Sequence, residues 1–403
     1  MILISVRETS AVTVCAGNIA AFAGSIVMFT EPMQFILFLE DLPDPRQDAK
    51  VLYLLPEMIF MAVCCTVAAC DDWVEVADHA EENIDWFRKY LALPNGVPSH
   101  DTFSRAFGRL DPVALAECLA RFVESLQLSL EGKGVHLDGK TIRHSFDQAA
   151  GTDALQVVTA WSSELHLCLG QLPVEAGSNE RTAVPKLLEM LELTGAIVTL
   201  DAMHTTKSTA KQIRQQGADY VLTVKRNQPS LYNTINRKFE ELAEGNFEHS
   251  RVRSHVTREK NGSREEYRRY TVFPAPAELR QLGWTDIKTI GMVYRERTVN
   301  GKTSQELVYF ISSLEPKVRN LAKQIRDHWK IENQLHWTLD VTFAEDTSRI
   351  GKNNGPANAA IFRRLALSIV KRYTSENKSM RRKRRAAARN PKHLLRYLTG
   401  NQA

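Results

Sequence analysis

The sequence predicts an α/β fold: a mixed sheet with a β-rich insertion, preceded by a helical N-terminal domain and followed by a basic helical tail. Three observations lead there. Residues 33–130 repeat apolar positions at helical spacing and start their helices with capping residues. Residues 131–246 run as three strand-like segments and then alternate helix with strand, the order expected of a mixed α/β sheet. Residues 247–315 turn β-rich again, with Asn-Gly pairs between the runs.

Taken in order, Asp44-Pro45 breaks the chain before an apolar helix over Val51–Cys70, interrupted by Pro56 and Glu57 and read as buried. Trp73–His79 follows, then a turn at Pro94-Asn95-Gly96. Ser99 or Asp101 can cap the helix bearing Phe103, Phe107 and Leu110, and Asp111-Pro112 starts another through Leu126. At Gly132-Lys133-Gly134 the character changes. Val135–Ile142, Leu155–Trp161 and His166–Leu172 read as strands. Thr182–Leu193 is an amphipathic helix closed by Gly195, and Ala196–Leu200 is a short continuous apolar run, as in a strand buried on both faces. Ser208–Gln216 is helical and Tyr220–Val224 is a further strand.

The insertion holds Arg251–Val256, Glu266–Phe273, Lys288–Arg297 and Glu306–Ser312, with hairpin signals at Asn261-Gly262 and Asn300-Gly301. A helix over Arg326–Asp346 comes next, then Ala357–Tyr373 and Pro391–Leu398 around the basic run Arg381–Arg385. The expected divisions are 1–32, 33–130, 131–246, 247–315, 316–375 and 376–403. No internal repeat and no Gly-rich phosphate loop is visible.

The first segment stands apart. Ala11–Thr30 is uncharged and long enough to span a bilayer, and Arg7 gives it a thin resemblance to a signal peptide. Its richness in Gly, Ala, Ser and Thr favours a third reading, in which translation starts at Met28 or Met33 and residues 1–32 are a non-native extension. The chain is expected to be cytoplasmic with no membrane partner.

The formal net charge of +5 conceals an asymmetry: from Gly351 onward 14 Lys and Arg face Glu376 alone, a net +13, which leaves −8 on everything before. Such a distribution suits a polyanionic partner, although a solvated tail has the same composition. Cys15, Cys64, Cys65, Cys70, Cys118 and Cys168 form no CxxC pair and sit mostly in apolar surroundings, as small core residues do in a reducing compartment.

Arg326–Asp346 carries the densest chemistry. Ile331, Leu335 and Leu339 recur every four residues as an apolar stripe, and His328, Glu332, His336 and Asp340 recur one residue later on the neighbouring face. A solvated face with salt bridges is the ordinary reading of a lone glutamate. Two aspartates upstream change that. Asp138 follows His136-Leu137 on the first strand, and Asp201 directly follows Ile197-Val198-Thr199-Leu200. A strand that ends in a carboxylate delivers it to the rim of the sheet, where α/β proteins bind ligands. A single aspartate there is commonly only a turn cap. Three carboxylates from separate elements can hold two Mg²⁺ ions about 4 Å apart, an arrangement suited to phosphodiester transfer.

The segments LDGKTIRHS (Leu137–Ser145), SNERTAVPKLLEMLELTGAIVTLDAMHTTKSTAKQI (Ser178–Ile213), GADYVLTVKRNQPSL (Gly217–Leu231) and HWKIENQLHWTLDVTFAED (His328–Asp346) resemble the DDE transposases of bacterial insertion sequences. The likeness is to the ISAs-type branch, also called H-repeat-associated proteins. It extends to DLPDPRQ (Asp41–Gln47) and NGVPSHDTFSRAF (Asn95–Phe107) and covers roughly residues 33–375, with no counterpart for 1–32. It implies an RNase H-like mixed sheet, interrupted by the insertion, and Asp138, Asp201 and Glu332 as the catalytic and metal-binding triad. It implies Mg²⁺, with Mn²⁺ able to substitute, double-stranded DNA as partner (terminal inverted repeats and target), a homodimer in the DNA complex, and a bacterial, nucleoid-associated location. In the wider group the glutamate lies within Y-x2-R-x3-E-x6-K; here the other three positions are Ile325, His328 and Leu339, so the flanking DNA contacts differ.

Lys140, Arg143, Lys225, Arg226, His328 and Lys330 are candidates for phosphate contacts, though each alone is an ordinary surface charge. Asn227 and Gln228 are placed at the rim, to position DNA or water, and Trp329 and Trp337 are read as core. Two rivals remain: an inactive DNA-binding remnant of a mobile element, and, ranked lower, a zinc hydrolase using His328, Glu332 and His336 with Asp201 or His204. In the latter the two helical histidines are eight residues and about 12 Å of rise apart, against the four-residue spacing of a metalloprotease helix.

Overall fold

The computed structural model describes residues 32–400 apart from 48, 50, 147–150, 152, 176 and 246–250. The readings of residues 1–31 and of Cys15 therefore lie outside the described residues.

Six helices come first: α1 (Pro32–Leu39), α2 (Leu55–Val67), α3 (Trp73–Glu82), α4 (Ile84–Phe87), α5 (His100–Arg109) and α6 (Pro112–Ser125). α2 starts with Pro56 at a position whose N–H has no helical partner, and nearly all of it is buried. Glu57, the charge within this apolar run, is buried too, and accepts the backbone N–H groups of Ala92 and Leu93 at 3.0 and 3.2 Å. Of the two candidate caps for α5, Ser99 is the one that accepts from the Thr102 N–H, and Asp111 caps α6.

The sheet follows: β1 (Gly134–Thr141), β2 (Gln156–Ser162), β3 (Leu167–Pro173), α7 (Glu180–Met190), β4 (Ile197–Leu200), α8 (Lys207–Gln215), β5 (Asp219–Val224) and α9 (Pro229–Ala243). The insertion is β6 (Arg253–Asn261), β7 (Arg264–Pro274), α10 (Ala277–Gln281), β8 (Thr289–Val299) and β9 (Lys302–Ser312). Nine strands form one sheet in the order β3-β2-β1-β4-β5-β9-β8-β7-β6. β1, β2 and β3 are antiparallel, β1, β4 and β5 are mutually parallel, and β9 pairs antiparallel with β5. The insertion is thus a continuation of the sheet. Asn300 and Gly301, with φ of 50° and 76°, form the two-residue turn between β8 and β9. At the other signal, Asn261 pairs with Arg264, so the turn residues are Gly262 and Ser263.

The chain closes with α11 (Val318–Ile331), a π-helical turn (Glu332–His336), α12 (Trp337–Thr342), α13 (Gly355–Arg372), α14 (Met380–Arg389) and α15 (Pro391–Thr399). α13 is buried along almost its whole length and packs against α2, α5, α6 and β3, which joins the helical region to the sheet through one continuous core. The basic run lies in α14, and two of its cations point inward: Lys383 donates to the Tyr373 carbonyl, and Arg384 reaches the Thr66 carbonyl at 2.9 Å and Asp71 at 2.8 Å. Cys64, Cys65, Cys70 and Cys118 are buried free thiols. Among the described residues no helix is long and apolar enough to cross a membrane.

Candidate active site

Strand register builds the site. His136 on β1 lies opposite Thr199 on the parallel strand β4, and two residues further along each strand come Asp138 and Asp201. Side chains two apart share a face, so His136, Asp138, Thr199 and Asp201 present to one side, Asp138 from the middle of β1 and Asp201 from just past the end of β4. α11 packs on β1 and β4, with Leu321 and Ile325 against Ile197 and Val221.

The polar face of that helix meets the strands residue by residue. His328 is buried; its Nδ1 lies 2.8 Å from Thr199 Oγ1 and its Nε2 3.3 Å from Asp201 Oδ1. Thr199 Oγ1 is also 2.8 Å from His136 Nδ1. One hydroxyl between two imidazoles donates to one and accepts from the other, so the His136–Thr199–His328–Asp201 chain fixes the rotamer of Asp201. One turn on, His336 Nδ1 lies 3.2 Å from Glu332 Oε2 and 3.8 Å from Asp138 Oδ2. Donor atoms of Asp138, Glu332 and His336 all fall within 4.8 Å of one another. Glu332 is otherwise open, with 72 % of its side chain exposed, so the site is a surface cleft.

The electrostatics follow from burial and these partners. Burial raises the Asp138 carboxyl pKa and the neighbouring Asp201 charge adds to it, against the opposing pull of His336 and His328. The His328 hydrogen bond holds Asp201 below the usual carboxylate range, and the His336 hydrogen bond does the same for Glu332. Burial pushes the His136 imidazole down to about 3. Asp138, Glu332 and His336 are the donors within reach of one cation, and two carboxylates with an imidazole suit a divalent ion. Asp201 lies outside that group, hydrogen-bonded to His328, although its charge acts on Asp138. A two-histidine zinc set is not assembled among the described residues, because His328 turns to Asp201 while His336 turns to Asp138 and Glu332.

The remaining candidates separate. Lys140 is only 8 % exposed and lies between carboxylates, 2.8 Å from both Asp340 and Asp346 and 3.9 Å from Glu345. Burial lowers its pKa, but the bonds to Asp340 and Asp346 prevail and raise it. Its charge is thus spent inside the protein, where an exposed phosphate contact was expected. Glu345 pairs in turn with buried Arg364 at 2.7 Å, whose Nε reaches Thr159 Oγ1 on β2 at 3.0 Å. This network ties the far end of the Glu332 helix to the strand bearing Asp138. His328 is likewise an internal partner of Asp201 and not an exposed cation.

Arg143 is 80 % exposed, Lys225 is exposed and its charge acts on Asp201, and Lys330 pairs with Asp327 at 2.7 Å. Asn227 Nδ2 donates to the Ala202 carbonyl at 2.7 Å, and Gln228 Nε2 to the Thr205 carbonyl at 2.9 Å. Both amides clip the β5–α9 loop to the segment that follows Asp201. The core reading of Trp337 is corrected, since it is 57 % exposed; Trp329 is half-buried with Arg295 5.1 Å above its ring.

Sequence reading missed Glu180, whose Oε2 lies 3.1 Å from His204 Nε2 and whose carboxylate occupies the space a Cβ at Gly139 would need. The signal was present: Asn179 caps α7 and places an acid in its first turn. Thr199 carried no such signal, because an apolar strand tolerates threonine without comment.

A mixed sheet with a helical N-terminal region and carboxylates gathered at its rim defines a class, and comparison with known families gives the same one. Residues 129–369 match the family described as "Transposase DDE domain", and residues 36–123 match its companion, "DDE_Tnp_1-associated". The chain belongs to the DDE transposase family. Among relatives, the "H repeat-associated putative transposase YhhI" of Escherichia coli K12 is 32 % identical over 366 residues, covering 89 % of this chain and 96 % of that protein. The "Putative transposase YncI" of Escherichia coli O157:H7 is 34 % identical over 358 residues, 88 % of this chain and 91 % of that protein. A shorter match, 32 % over 63 residues, covers 16 % of this chain and 75 % of the "Inactive transposase YbfQ" of Escherichia coli K12.

Proposed function

We propose that this protein is an active transposase that nicks double-stranded DNA at the ends of an insertion sequence and joins the freed ends to target DNA. The observation that carries the proposal is the grouping of Asp138 with Glu332, supported by a β1–β4 register that pairs His136 with Thr199 two residues before Asp138 and Asp201. The strand order β3-β2-β1-β4-β5, antiparallel in its first three members and parallel across β1, β4 and β5, supports an RNase H-like core.

In the first step water oxygen bonds to phosphorus and the P–O3′ bond at the element end breaks, the departing 3′ oxygen taking up a proton. In the second, that 3′-hydroxyl loses its proton as it bonds to a target phosphorus, and the target strand's own 3′ oxygen leaves. One phosphodiester is broken for each one formed in the second step, so no nucleotide triphosphate is needed. No side chain becomes covalently attached.

Asp138, Asp201 and Glu332 would hold Mg²⁺, or Mn²⁺ in its place, which when bound supplies electrophilic charge for the attacked phosphate and its leaving oxygen. His328 keeps Asp201 ionised and oriented, and His336 draws Glu332 towards Asp138. Arg143, Lys225 and Lys330 take backbone phosphates at the rim, and Asn227 and Gln228 hold the loop that carries Lys225. Two ends must be cut together, so the working form on DNA is a homodimer.

The test is a cleavage assay with purified protein, Mg²⁺ and a duplex bearing the element's ends, comparing wild type with Asp201→Asn. Wild type yields nicked and joined strands and the variant yields neither. A wild type that binds the duplex but never cuts it identifies an inactive DNA-binding remnant, and activity abolished by a zinc-selective chelator in excess Mg²⁺ restores the zinc reading.

A further inference from the structure

On the helical N-terminal region, a groove of about 410 Å³ opens between α5 and the segment before α2, lined by Arg46, Tyr53, Thr102, Arg105 and Arg109 among others, with no carboxylate among its lining residues. Arg105 and Arg109 are exposed one helical turn apart, and neither has a carboxylate partner among the described residues. Arg46 is held in place by Asp44 at 2.6 Å and by the Tyr53 carbonyl at 2.8 Å. Arg105 and Arg109 have no counter-charge of their own, so this side of the groove favours an anion, while Arg46 is already neutralised by Asp44.

The groove is joined to the catalytic cleft by one loop. Residues 343–354 leave α12 at Phe343; Asp346 in this loop takes the Arg143 backbone N–H at 3.3 Å and its Nε at 3.4 Å. Ser348 is anchored by Arg363 at 2.7 Å. The loop then seats on the C-terminal end of α5: the Asn354 N–H donates to the Gly108 carbonyl at 3.2 Å and Asn354 Nδ2 to the Leu110 carbonyl at 3.0 Å. Between these anchors Arg349 and Lys352 face solvent, again without a carboxylate partner among the described residues. Exposed positive charge therefore continues from Arg143, five residues past Asp138, over the loop and onto Arg109 and Arg105.

We infer that this strip is a second DNA contact, which follows the duplex backbone from the cleft onto the helical N-terminal region. The inference rests on the transposase reading for its partner. A strip of separate cations spread over three elements suits a chain of phosphates better than one small anion, which calls for donors converging on a single point. It carries no sequence information itself; its role is to fix where the cleft sits along the DNA.

The experiment measures binding of the full chain to a 40-base-pair duplex by fluorescence anisotropy across a salt series, with Arg105→Ala/Arg109→Ala, Arg349→Ala/Lys352→Ala and the charge-preserving Arg105→Lys/Arg109→Lys. Each neutralised pair lowers the slope of log affinity against log salt by about two, while the lysine pair keeps it. Thermal unfolding confirms that each variant is folded. A wild-type slope in both alanine pairs overturns the inference. So does inorganic phosphate that displaces the duplex better than chloride at equal ionic strength, which marks a small-anion site. Failure of the transposase reading is separate: it shows as absence of cleavage by wild type, whatever the slopes.

Discussion

At the scale of single residues, the proposed site divides into carboxylates that would meet the substrate and groups that hold them. Asp138→Asn, Asp201→Asn and Glu332→Gln each remove one carboxylate and are expected to lower strand cleavage about a thousandfold or more with little change in duplex affinity, measured by a single-turnover gel assay beside anisotropy. Thr199→Val is a sharper probe because it keeps every carboxylate. Its methyl replaces the hydroxyl shared by His136 and His328, and cleavage should fall roughly 10- to 100-fold, as for other partners of a ligating side chain. An unchanged rate would show that the imidazole chain does not orient Asp201. That Asp138 and Glu332 come together was legible from the family-like segments that hold them, whereas the place of His336 beside them was not. Lys140 misled, because nothing local distinguishes a lysine facing solvent from one that meets Asp340 and Asp346 two hundred residues away.

At the scale of elements, the informative case is the Glu332 helix. Ile331, Leu335, Leu339 and Phe343 are all buried at strict four-residue intervals. In an α-helix each such step drifts by about 40°, so three steps would carry the stripe well off its face. The π-helical turn at Glu332–His336 widens the winding and returns the stripe to the core. The strict spacing was visible in the sequence, but its incompatibility with a plain α-helix points to the π turn only in hindsight of the buried face. The β1–α7 approach gives a second element-level test. A Cβ at Gly139 would come within 2.1 Å of Glu180 Oε1, the free end of a flexible side chain, so in Gly139→Ala the carboxylate should swing aside and give up its contact with His204 at little cost to the thermal midpoint. A large drop in the midpoint would show that Glu180 cannot move.

At the scale of the whole molecule, buried charge is the theme. Arg364, on the central helix α13, meets Glu345 and Thr159 with 1 % of its side chain exposed. Arg364→Met removes the nearest cation from buried Glu345, leaving only Lys140 at 3.9 Å, and should cost about 3–5 kcal/mol, read by urea unfolding. Stability also follows pH through buried His136 and partly buried His166. Burial lowers His136 to about 3 and His166 to about 4, below the unfolded value of about 6.5. Between those limits the unfolded chain binds protons that the folded one refuses, so stability is full above pH about 6.5 and falls as pH drops towards 4. The thermal midpoint should decline from pH 7 to pH 5, and less steeply in His166→Asn, which tolerates the left-handed φ of 52° at that position. The α/β class and the helical N-terminal region were readable from periodicity. The fusion of the insertion into one nine-stranded sheet was not, since pairing of β9 with β5 depends on register between segments some ninety residues apart.

That late pairing has a consequence for the order in which a ribosome makes the protein. A nascent chain that has emerged through β5 already owns Asp138 and Asp201, yet it lacks the Glu332 helix, the partner acids of Lys140 and the core helix α13 that joins the sheet to the helical region. The proposed cutting chemistry would therefore be withheld until nearly the whole polypeptide exists, and a message broken before residue 318 yields a product with two of the three carboxylates and no Glu332 helix to complete the cleft.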